Sequence, residues 1–296
     1  MVPREKPRSY YGRPVVKPPV WTWEIPLYFF TGGTGGASAA LAYAAERAGN
    51  RRLARSAWKV AFAGISASPP LLVSDLGKPR RFFNMMRVFK PTSPMSVGSW
   101  ILLANGAAIV PAAAYGVLGR FGAIGRPAQA ASAAVGLPLA TYTAVLVANS
   151  AVPVWSEARW ELPLSFAGSA AASAGAAATV LTPPEHAAPA RRLAIGGALI
   201  ETAATEVMHR RLGDLGSPYG EGTAGRFAKA AKGLTVGGAA LLGASTNRSR
   251  AGAVAGAAML ISGSLCERWA VFRAGVQSAG DPSATIGPQR ERLGRD

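Results

Sequence analysis

Two carboxylates and one tyrosine in the first half of the chain are spaced so that they could exchange protons with a ligand. Glu24 opens an apolar stretch, Tyr28 follows one helical turn later, and Asp75 closes a second apolar segment. We expect the three side chains to converge at one membrane depth. The alternative for Asp75 is an interfacial salt bridge, with Gly77 as a helix cap and Pro79 as a helix stop.

A second group of ionisable residues lies in the second half. Glu201, Thr205 and His209 are spaced i, i+4, i+8 and share one helix face, whereas Glu206 lies off that face. An acidic residue near the middle of an apolar segment is a functional candidate, and this pattern predicts a proton relay. The alternative is a Glu201 carboxyl that burial keeps neutral and that is hydrogen-bonded to a neighbouring helix.

The elements that would hold these residues are apolar segments of membrane length. Four stretches contain no Asp, Glu, Lys or Arg over about 20 residues or more, which suffices to cross a hydrocarbon core of about 30 Å. Four further segments are shorter or interrupted by charges. The eight predicted spans are 25–45, 53–74, 91–119, 127–156, 162–184, 193–209, 228–246 and 251–272.

Short motifs occur twice, in the same order. The pattern Trp-Glu-x-Pro-Leu stands at 23–27 and 160–164, Arg-Arg-Leu-Ala at 51–54 and 191–194, and Asp-Leu-Gly at 75–77 and 214–216. Three matches at nearly one offset indicate an internal duplication. The sequence therefore predicts an all-α integral membrane protein with eight transmembrane helices, arranged as two repeated four-helix bundles.

The repeat and the spans together set the predicted domain boundaries. A polar tail precedes the first bundle, a connector joins the two bundles, and a second polar tail follows. The predicted ranges are 1–23 for the N-terminal tail, 24–150 for the first bundle, 151–158 for the connector, 159–273 for the second bundle and 274–296 for the C-terminal tail.

The net charge of +17 is explained by basic loops, and we expect membrane lipid and no nucleic acid as a partner. The predicted loops fall on two faces. One face carries both termini, loop 75–94, Arg159, loop 209–232 and the C-terminal residues from Arg268 onward. This face has more Lys and Arg residues than the opposite face. By the positive-inside rule, this multi-pass protein of the bacterial cell membrane has cytoplasmic termini.

Redox metals are not expected in this chain. Its one cysteine, Cys266, excludes an internal disulfide and a cysteine-ligated iron–sulfur cluster. Its two histidines, His186 and His209, occupy different places along the predicted spans, and haem held by two histidines needs ligands that face each other. We therefore predict no haem and no metal.

Two segments resemble a known family. The sequence DLGKPRRFFNMMRVFKPTSPMSVGSW at 75–100 resembles the signature of the NrfD/PsrC family, the membrane subunits of polysulfide reductase and related molybdopterin oxidoreductase complexes. The opening KPPVWTWEIPLYFF at 17–30 is also similar, particularly to members that accompany formate-dehydrogenase-type enzymes. The likeness is strongest over 17–105.

The resemblance implies a haem-free fold of two four-helix bundles with a quinone pocket in the first bundle, where the first and third helices begin. The family's acidic residue after the second helix matches Asp75, polar residues at the start of its first helix correspond to Glu24 and Tyr28, and a fourth-helix tyrosine corresponds to Tyr142. The histidine that some members carry in the first helix is missing here. The implied ligand is a quinone, with menaquinone as the candidate.

The implied partners are a ferredoxin-like iron–sulfur subunit and a molybdopterin-type catalytic subunit. Five cations of the loop could dock an acidic partner: Lys78, Arg80, Arg81, Arg87 and Lys90. The predicted function is a quinone-interacting membrane anchor that exchanges electrons between an iron–sulfur partner and the quinone pool and is not a complete enzyme alone. One alternative is a proton- or ion-translocating transporter using Glu201 and His209, and another is a purely structural anchor.

Overall fold

The computed structural model of the chain describes residues 15–245 and 249–286, and every regular element in these ranges is helical. The first half contains four long helices and one short one. These are α1 (Glu24–Arg47), α2 (Arg51–Asp75), the short α3 (Arg81–Met85), α4 (Pro94–Leu118) and α5 (Gly122–Ala148).

The second half repeats the count of long helices. A short α6 (Pro153–Glu157) connects the halves, and two 3-10 turns, Pro184–His186 and Gly213–Tyr219, flank α8. The long helices are α7 (Glu161–Leu181), α8 (Ala188–Leu212), α9 (Gly222–Ala244) and α10 (Arg250–Gly280). The prediction of an all-α fold is confirmed.

Polar caps define where several of the long helices begin and end. The Asn50, Ser93 and Ser249 side chains each accept a hydrogen bond from a backbone N–H in the first turn of α2, α4 and α10. Gly119 ends α4 in the left-handed conformation, with φ 69°, which glycine adopts without steric cost. These cap residues therefore mark the ends of the helices, and the apolar segments lie between them.

Within the part of the chain that the structure describes, three helices are long and apolar enough to cross a membrane by length and composition: Pro94–Leu118, Gly122–Ala148 and Glu161–Leu181. The other long helices are less apolar on average, because they carry charged residues, as α2 does with Arg51 and Arg52, or many small residues, as α1 does between Gly32 and Ala40. Small residues suit a helix that packs closely against others within a membrane. The chain is accordingly a helical membrane protein.

Helices pack as neighbouring pairs in both halves. Within the first half, α1 contacts α2 and α5, and α4 contacts α2 and α5; within the second half, α7 contacts α8 and α10, and α9 contacts α8 and α10. The halves meet mainly where α1 and α5 contact α7. Close packing depends on glycine, since a Cβ at Gly36 of α1 would overlap the backbone carbonyl of Gly136 in α5.

The long helices alternate in direction, so the molecule has two ends. At one end the Thr22 N–H donates to Asp75 Oδ1 (3.1 Å). Since this end also carries loop 76–93, we call it the basic-loop end. At the opposite end, Asn50 Nδ2 donates to the His186 carbonyl oxygen (2.9 Å) and Arg250 donates to that of Thr182 (3.0 Å).

The last helix differs from the sequence expectation in two respects. It continues to Gly280, beyond the predicted boundary at 273, because Gly275 lies against the Trp155 ring and Trp155 Nε1 donates to the Val271 carbonyl oxygen (2.8 Å). Arg268 was expected among the loop charges of the terminal face, and that assignment is wrong. Its side chain is 1% exposed inside the helix bundle.

The two consecutive prolines of α2 do not break the helix, which runs unbroken from Arg51 to Asp75 through Pro69 and Pro70. The Ser68 hydroxyl, one position before them, donates to the Gly64 carbonyl oxygen (2.8 Å) and pairs with the Thr31 hydroxyl of α1 (3.0 Å). Prolines are tolerated in membrane helices where neighbouring groups satisfy the backbone.

Candidate functional site

A cavity of about 70 Å³ lies at the basic-loop end of the first half, where α1 and α4 begin and α2 and α5 end. We call it the tyrosine pocket. Three of the predicted site residues, Tyr28, Asp75 and Tyr142, line it, whereas Glu24 lies beside its mouth. The remaining lining is largely apolar and comprises Trp21, Ile25, Phe29, Leu72, Leu76, Met85, Met95, Ser99 and Leu146.

Tyr28 of α1 and Tyr142 of α5 form a buried pair in this pocket. Their side chains are 1% and 9% exposed, and their hydroxyl groups hydrogen-bond to each other. Gly98 of α4 makes room for the second ring, because a Cβ at that position would overlap it. Two phenol groups that can each donate or accept are thus held at one point in an apolar surrounding.

The segment before α1 covers the mouth of the pocket. Besides its backbone bond to Asp75, Thr22 hydrogen-bonds to the Glu24 carboxylate, so both predicted acids meet at one residue. Trp21 stacks on Trp155 of the connector helix, with ring centroids 6.0 Å apart. The structure therefore brings Glu24 and Asp75 together through Thr22, and neither acid forms an ion pair within the described residues.

The basic loop adjoins the pocket on the surface. All five predicted docking residues, Lys78, Arg80, Arg81, Arg87 and Lys90, are exposed, and in the part of the chain that the structure describes none of them forms an ion pair. Phe83, Val88 and Phe89 of the same loop are also exposed, at 71%, 68% and 56%. Free cations beside exposed aromatic and aliphatic side chains make a surface suited to an acidic protein partner.

The second half contains a larger cavity of about 190 Å³ between α8, α9 and α10. We call it the acidic cavity. All four residues of the predicted proton relay line it: Glu201, Thr205, Glu206 and His209. Glu206 lines its outer part, where it pairs with Arg210 and Lys232 at 3.0 and 3.3 Å. The relay residues thus face one space, although Glu206 acts there as a surface ion-pair partner.

Two charged residues of α10 complete this cluster and were not predicted as site residues. Glu267 lines the acidic cavity at 4% exposure, and the neighbouring Arg268 is almost fully buried. The Arg268 guanidinium donates to the Phe166 carbonyl oxygen (3.0 Å) and lies 3.6 Å from the centroid of the Phe166 ring. The signal that could have revealed them was two adjacent charges inside the predicted span 251–272.

Hydroxyl groups from α7 link the buried charges to their surroundings. Ser165 donates to Glu267 Oε1 (3.4 Å) and pairs with the Thr205 hydroxyl (3.2 Å). Ser169 pairs with the Ser264 hydroxyl (2.6 Å). Buried charges need such partners, because leaving one without compensation is strongly unfavourable.

Tyr219 and His209 close the acidic cavity near the basic-loop end, with ring centroids 4.9 Å apart. Tyr219 belongs to the turn between α8 and α9, and burial raises the pKa of its hydroxyl group, which therefore stays protonated. His186 lies just before α8 begins, whereas His209 lies near its end, about 35 Å further along the helix axis. One haem cannot use both histidines of this chain.

No arrangement for a metal ion was found in the described ranges 15–245 and 249–286, where no three His, Cys, Asp or Glu side chains converge on one point. The two cavities offer hydrogen bonding by the Tyr28 and Tyr142 hydroxyls and proton exchange by the carboxyl groups of Asp75, Glu201 and Glu267.

The fold and the two buried sites define a helical membrane protein with polar side chains inside its helix bundles. The chain matches the profile of the NrfD_2 family, described as polysulfide reductase, over residues 8–279, and it belongs to that family. The resemblance of residues 17–105 is thereby confirmed. A search of the curated proteins returned no match.

Proposed function

We propose that this protein is the quinone-interacting membrane subunit of a multisubunit oxidoreductase. It would exchange electrons between an iron–sulfur partner subunit and the quinone pool, with menaquinone as the candidate quinone. Membership of the polysulfide reductase family supports a role in a redox complex. The observation that carries the proposal is the buried Tyr28–Tyr142 pair beside Asp75, beneath an exposed basic loop.

The proposed architecture is eight transmembrane helices in two repeated four-helix bundles. All eight long helices have 21 to 31 residues, enough for a hydrocarbon core of about 30 Å. Both α7 and α8 begin 137 residues after α1 and α2, and both α9 and α10 begin 128 residues after α4 and α5. The same four helix pairs contact each other in each half, which supports a duplicated scaffold.

The residues of the tyrosine pocket fit a quinone headgroup by the chemistry of their donors. A quinone accepts two electrons and two protons when it is reduced. The Tyr28 and Tyr142 hydroxyls donate to a carbonyl oxygen once their mutual hydrogen bond opens, and the flat apolar walls exclude water from that oxygen. Asp75, at the mouth, exchanges protons with solvent, and Glu24 is the second acid that Thr22 holds there.

The basic loop is the proposed docking surface. Its cations and exposed aromatic side chains would contact an acidic iron–sulfur subunit of the ferredoxin-like kind, which in turn would connect to a molybdopterin-type catalytic subunit. A position beside the tyrosine pocket keeps the electron-donating cluster close to the quinone. The chain itself would supply no metal and no haem, so it is not a complete enzyme alone.

The proposed location is the bacterial cell membrane, with the basic-loop end and both termini on the cytoplasmic side. Excess Lys and Arg residues lie in the loops of this end even after the buried Arg268 is removed from the comparison. The partner subunits would therefore also be cytoplasmic.

The test is purification of the complex from native membranes in mild detergent, followed by identification of the copurifying chains and an assay with a quinone analogue. The variant Asp75→Asn removes the acid at the pocket mouth. Its matched control is Asp214→Asn, which changes the exposed aspartate of the second copy of the Asp-Leu-Gly motif.

We expect an iron–sulfur subunit to copurify and quinone-linked activity to fall about 10²-fold or more in Asp75→Asn, the range for loss of a proton-transfer group. Asp214→Asn should retain full activity. A complex that assembles stably but has no quinone-dependent activity in the wild type would support the structural-anchor alternative instead.

A second candidate function is a proton- or ion-translocating transporter that uses Glu201 and His209. The observation that favours it is the acidic cavity, which holds both residues together with the buried Glu267. Its test is proton flux in vesicles reconstituted with the purified chain alone. Flux that is lost in Glu201→Gln would establish this function, whereas no flux in the wild type would exclude it.

A further inference from the structure

Most of the residues that line the acidic cavity are polar by type. Ten of its twelve lining residues carry a side-chain nitrogen or oxygen, and the other two are alanines. The tyrosine pocket, by comparison, is lined mainly by aromatic and aliphatic side chains. Carbon atoms still form most of the lining surface of the acidic cavity, but polar atoms take a larger share of it than in the tyrosine pocket and offer water hydrogen-bond partners.

Four polar atoms of this lining have no hydrogen-bond partner among the described residues: Glu201 Oε2, His209 Nε2, Tyr219 OH and Thr235 Oγ1. The side chains of Glu201, Tyr219 and Thr235 belong to residues that are only 3%, 6% and 3% exposed. Buried polar groups are nearly always paired with protein or with ordered water. At about 30 Å³ for each water, the 190 Å³ of the cavity accommodates roughly six molecules.

We propose that the acidic cavity is a water-filled proton chamber that opens toward the basic-loop end, serves the Glu201–Glu267 pair, and is bounded toward α7 by Arg268. In each transfer a hydronium ion gives its proton to a carboxylate oxygen and leaves as water, and the reverse step releases the proton. The ligand is thus the proton, carried by water.

The opening of the chamber follows from the exposure of its lining residues. Lys229 and Lys232 of α9 are exposed, and the Glu206 side chain is 41% exposed, whereas the Glu201 and Glu267 side chains are buried. The exposed residues lie within about three turns of the helix termini at the basic-loop end. The chamber therefore leads from exposed charged residues at its mouth to a pair of buried acids.

Arg268 bounds the chamber on the side toward α7, whereas along the helix axis the lining reaches Thr235, which packs against Gly263. Its guanidinium lies on the Phe166 ring and bonds to the backbone carbonyl of the same residue, and its Nε and Nη1 atoms have no hydrogen-bond partner within the described residues. Ser264, one helical turn deeper on α10, is 1% exposed and is bonded to Ser169 rather than to the cavity. A fixed cation at the side of a proton chamber repels a proton that would pass beyond it toward α7.

The charges around the acid pair come from every element that packs against it. Arg268 is the buried cation. The helix α9 contributes Lys229 and Lys232, and α8 contributes Glu206 and His209. The turn before α9 contributes Tyr219, and α10 contributes Cys266 beside Glu267. From α7 only the hydroxyls of Ser165 and Ser169 face the pair. Two acids opposite one buried cation balance in charge when the pair retains one proton.

This inference deepens the proposed function: the role of the chamber in supplying protons at the quinone end rests on that function. The chamber itself can be tested without quinone or partner. Phe29, which lines the tyrosine pocket, packs against Phe166 with ring centroids 6.0 Å apart. The two sites are therefore separated by a pair of aromatic rings, with Arg268 on the far side.

The test measures cysteine accessibility in the full chain within oriented membrane vesicles. The native Cys266 is changed to Ser, and single cysteines are introduced by Thr235→Cys in the chamber, Ser264→Cys beyond Arg268 and Ser132→Cys at a buried position of α5. Exposed references are Ser217→Cys at the basic-loop end and Glu185→Cys at the opposite end. The probe is a small, membrane-impermeant cationic thiosulfonate.

We expect Thr235→Cys to react at least about tenfold faster than Ser132→Cys and from the face where Ser217→Cys reacts, because thiol reactivity requires access to water. Ser264→Cys should be as unreactive as Ser132→Cys. Equal rates for Thr235→Cys and Ser132→Cys would show a dry cavity, and rapid labelling of Ser264→Cys would remove Arg268 as a boundary. Either result overturns the proposal.

A second measurement tests proton occupancy directly. A membrane-permeant carbodiimide reacts with protonated carboxyl groups, and mass spectrometry locates the adduct on the peptide of Glu201 or Glu267. We expect labelling of one of these acids that decreases as the pH rises, and labelling of Glu267 that persists in Glu201→Gln. Absence of an adduct on both acids across the pH range would contradict proton exchange, while quinone activity could still be intact.

Discussion

The tyrosine pocket and the acidic cavity occupy the same end of two similarly packed halves, yet their chemistry is opposite. The first is small, has an almost wholly apolar lining and holds two phenols, whereas the second is larger, has a greater share of polar lining and holds buried acids. Three of the helices that frame the first, α2, α4 and α5, correspond to α8, α9 and α10 around the second, whereas α7, the counterpart of α1, contributes no lining residue to it. The comparison teaches that the scaffold fixes where a site forms, while a few side chains decide what it can do.

The ends of corresponding helices are also joined by different chemistry. In the first half, Asp75 at the end of α2 accepts a hydrogen bond from the Thr22 backbone just before α1. In the second half, Arg211 at the end of α8 donates to Glu161 at the start of α7 (Nη2 to Oε2, 2.8 Å). An acid paired with a neutral donor stays available for proton exchange, whereas an acid paired with arginine is held as an ion.

The largest expected effect concerns the charges of the second half. Arg268→Met leaves two buried acids without their neighbouring cation and should destabilise the protein by about 3–5 kcal/mol, the range for leaving a buried charge uncompensated. Tyr28→Phe in the first half should cost only about 1 kcal/mol, because it removes one neutral hydrogen bond. Apparent melting temperatures in detergent compare the two variants.

A charge-balanced variant provides the control for that prediction. Adding Glu201→Gln and Glu267→Gln to Arg268→Met removes the uncompensated charge and should recover most of the lost stability. If Arg268→Met lowers the melting temperature no more than Tyr28→Phe does, the stability of the second half does not depend on buried charges more than that of the first half, and the contrast does not hold.

A smaller effect tests whether the two halves share one backbone packing. A Cβ at Gly36 would overlap the carbonyl of Gly136, and a Cβ at Gly168 of α7 would lie 2.5 Å from the Glu201 nitrogen in α8. Gly36→Ala and Gly168→Ala should each cost about 1–3 kcal/mol by overpacking. Gly106→Ala and Gly196→Ala are matched controls, since both positions face open space, and a loss of stability in them would contradict the packing described.

The smallest effect concerns the ion pair at the start of α7. A double-mutant cycle of Glu161→Gln and Arg211→Met should give a coupling free energy of about 0.5–1 kcal/mol, because Arg211 is 43% exposed. The exposed pair of Glu206 and Arg210 should give no measurable coupling. Equal coupling in both pairs would show that Glu161 is not specifically held as an ion.

The family and the helical membrane fold could be predicted because their signals are local. Charge-free stretches of membrane length mark α4, α5 and α7, and residues 75–100 carry the family signature. The exact ends of α10 could not be predicted, because they depend on a contact with Trp155 of the connector, more than a hundred residues earlier.

The candidate site could be predicted only where its signal was also local in the sequence. The i, i+4, i+8 spacing identified Glu201, Thr205 and His209 as neighbours on one helix, and they line one cavity. Glu267 and Arg268 gave a local signal as two adjacent charges inside a predicted span, but which neighbouring helices they face depends on the tertiary packing and could not be predicted. The direct bond between Tyr28 and Tyr142 likewise joins residues 114 positions apart.

The most direct test of the central claim is photolabelling with a photoreactive quinone analogue in membranes that contain the intact protein, with the labelled peptides mapped by mass spectrometry. We compare the wild type with Gly98→Ala, which places a Cβ against the Tyr142 ring, and with Gly106→Ala on the same helix as the control. The account predicts competable labelling of the α1 and α5 peptides around Tyr28 and Tyr142, reduced in Gly98→Ala and unchanged in Gly106→Ala. Labelling confined to the α8, α9 and α10 peptides of the acidic cavity, or equal labelling in all three proteins, would contradict it.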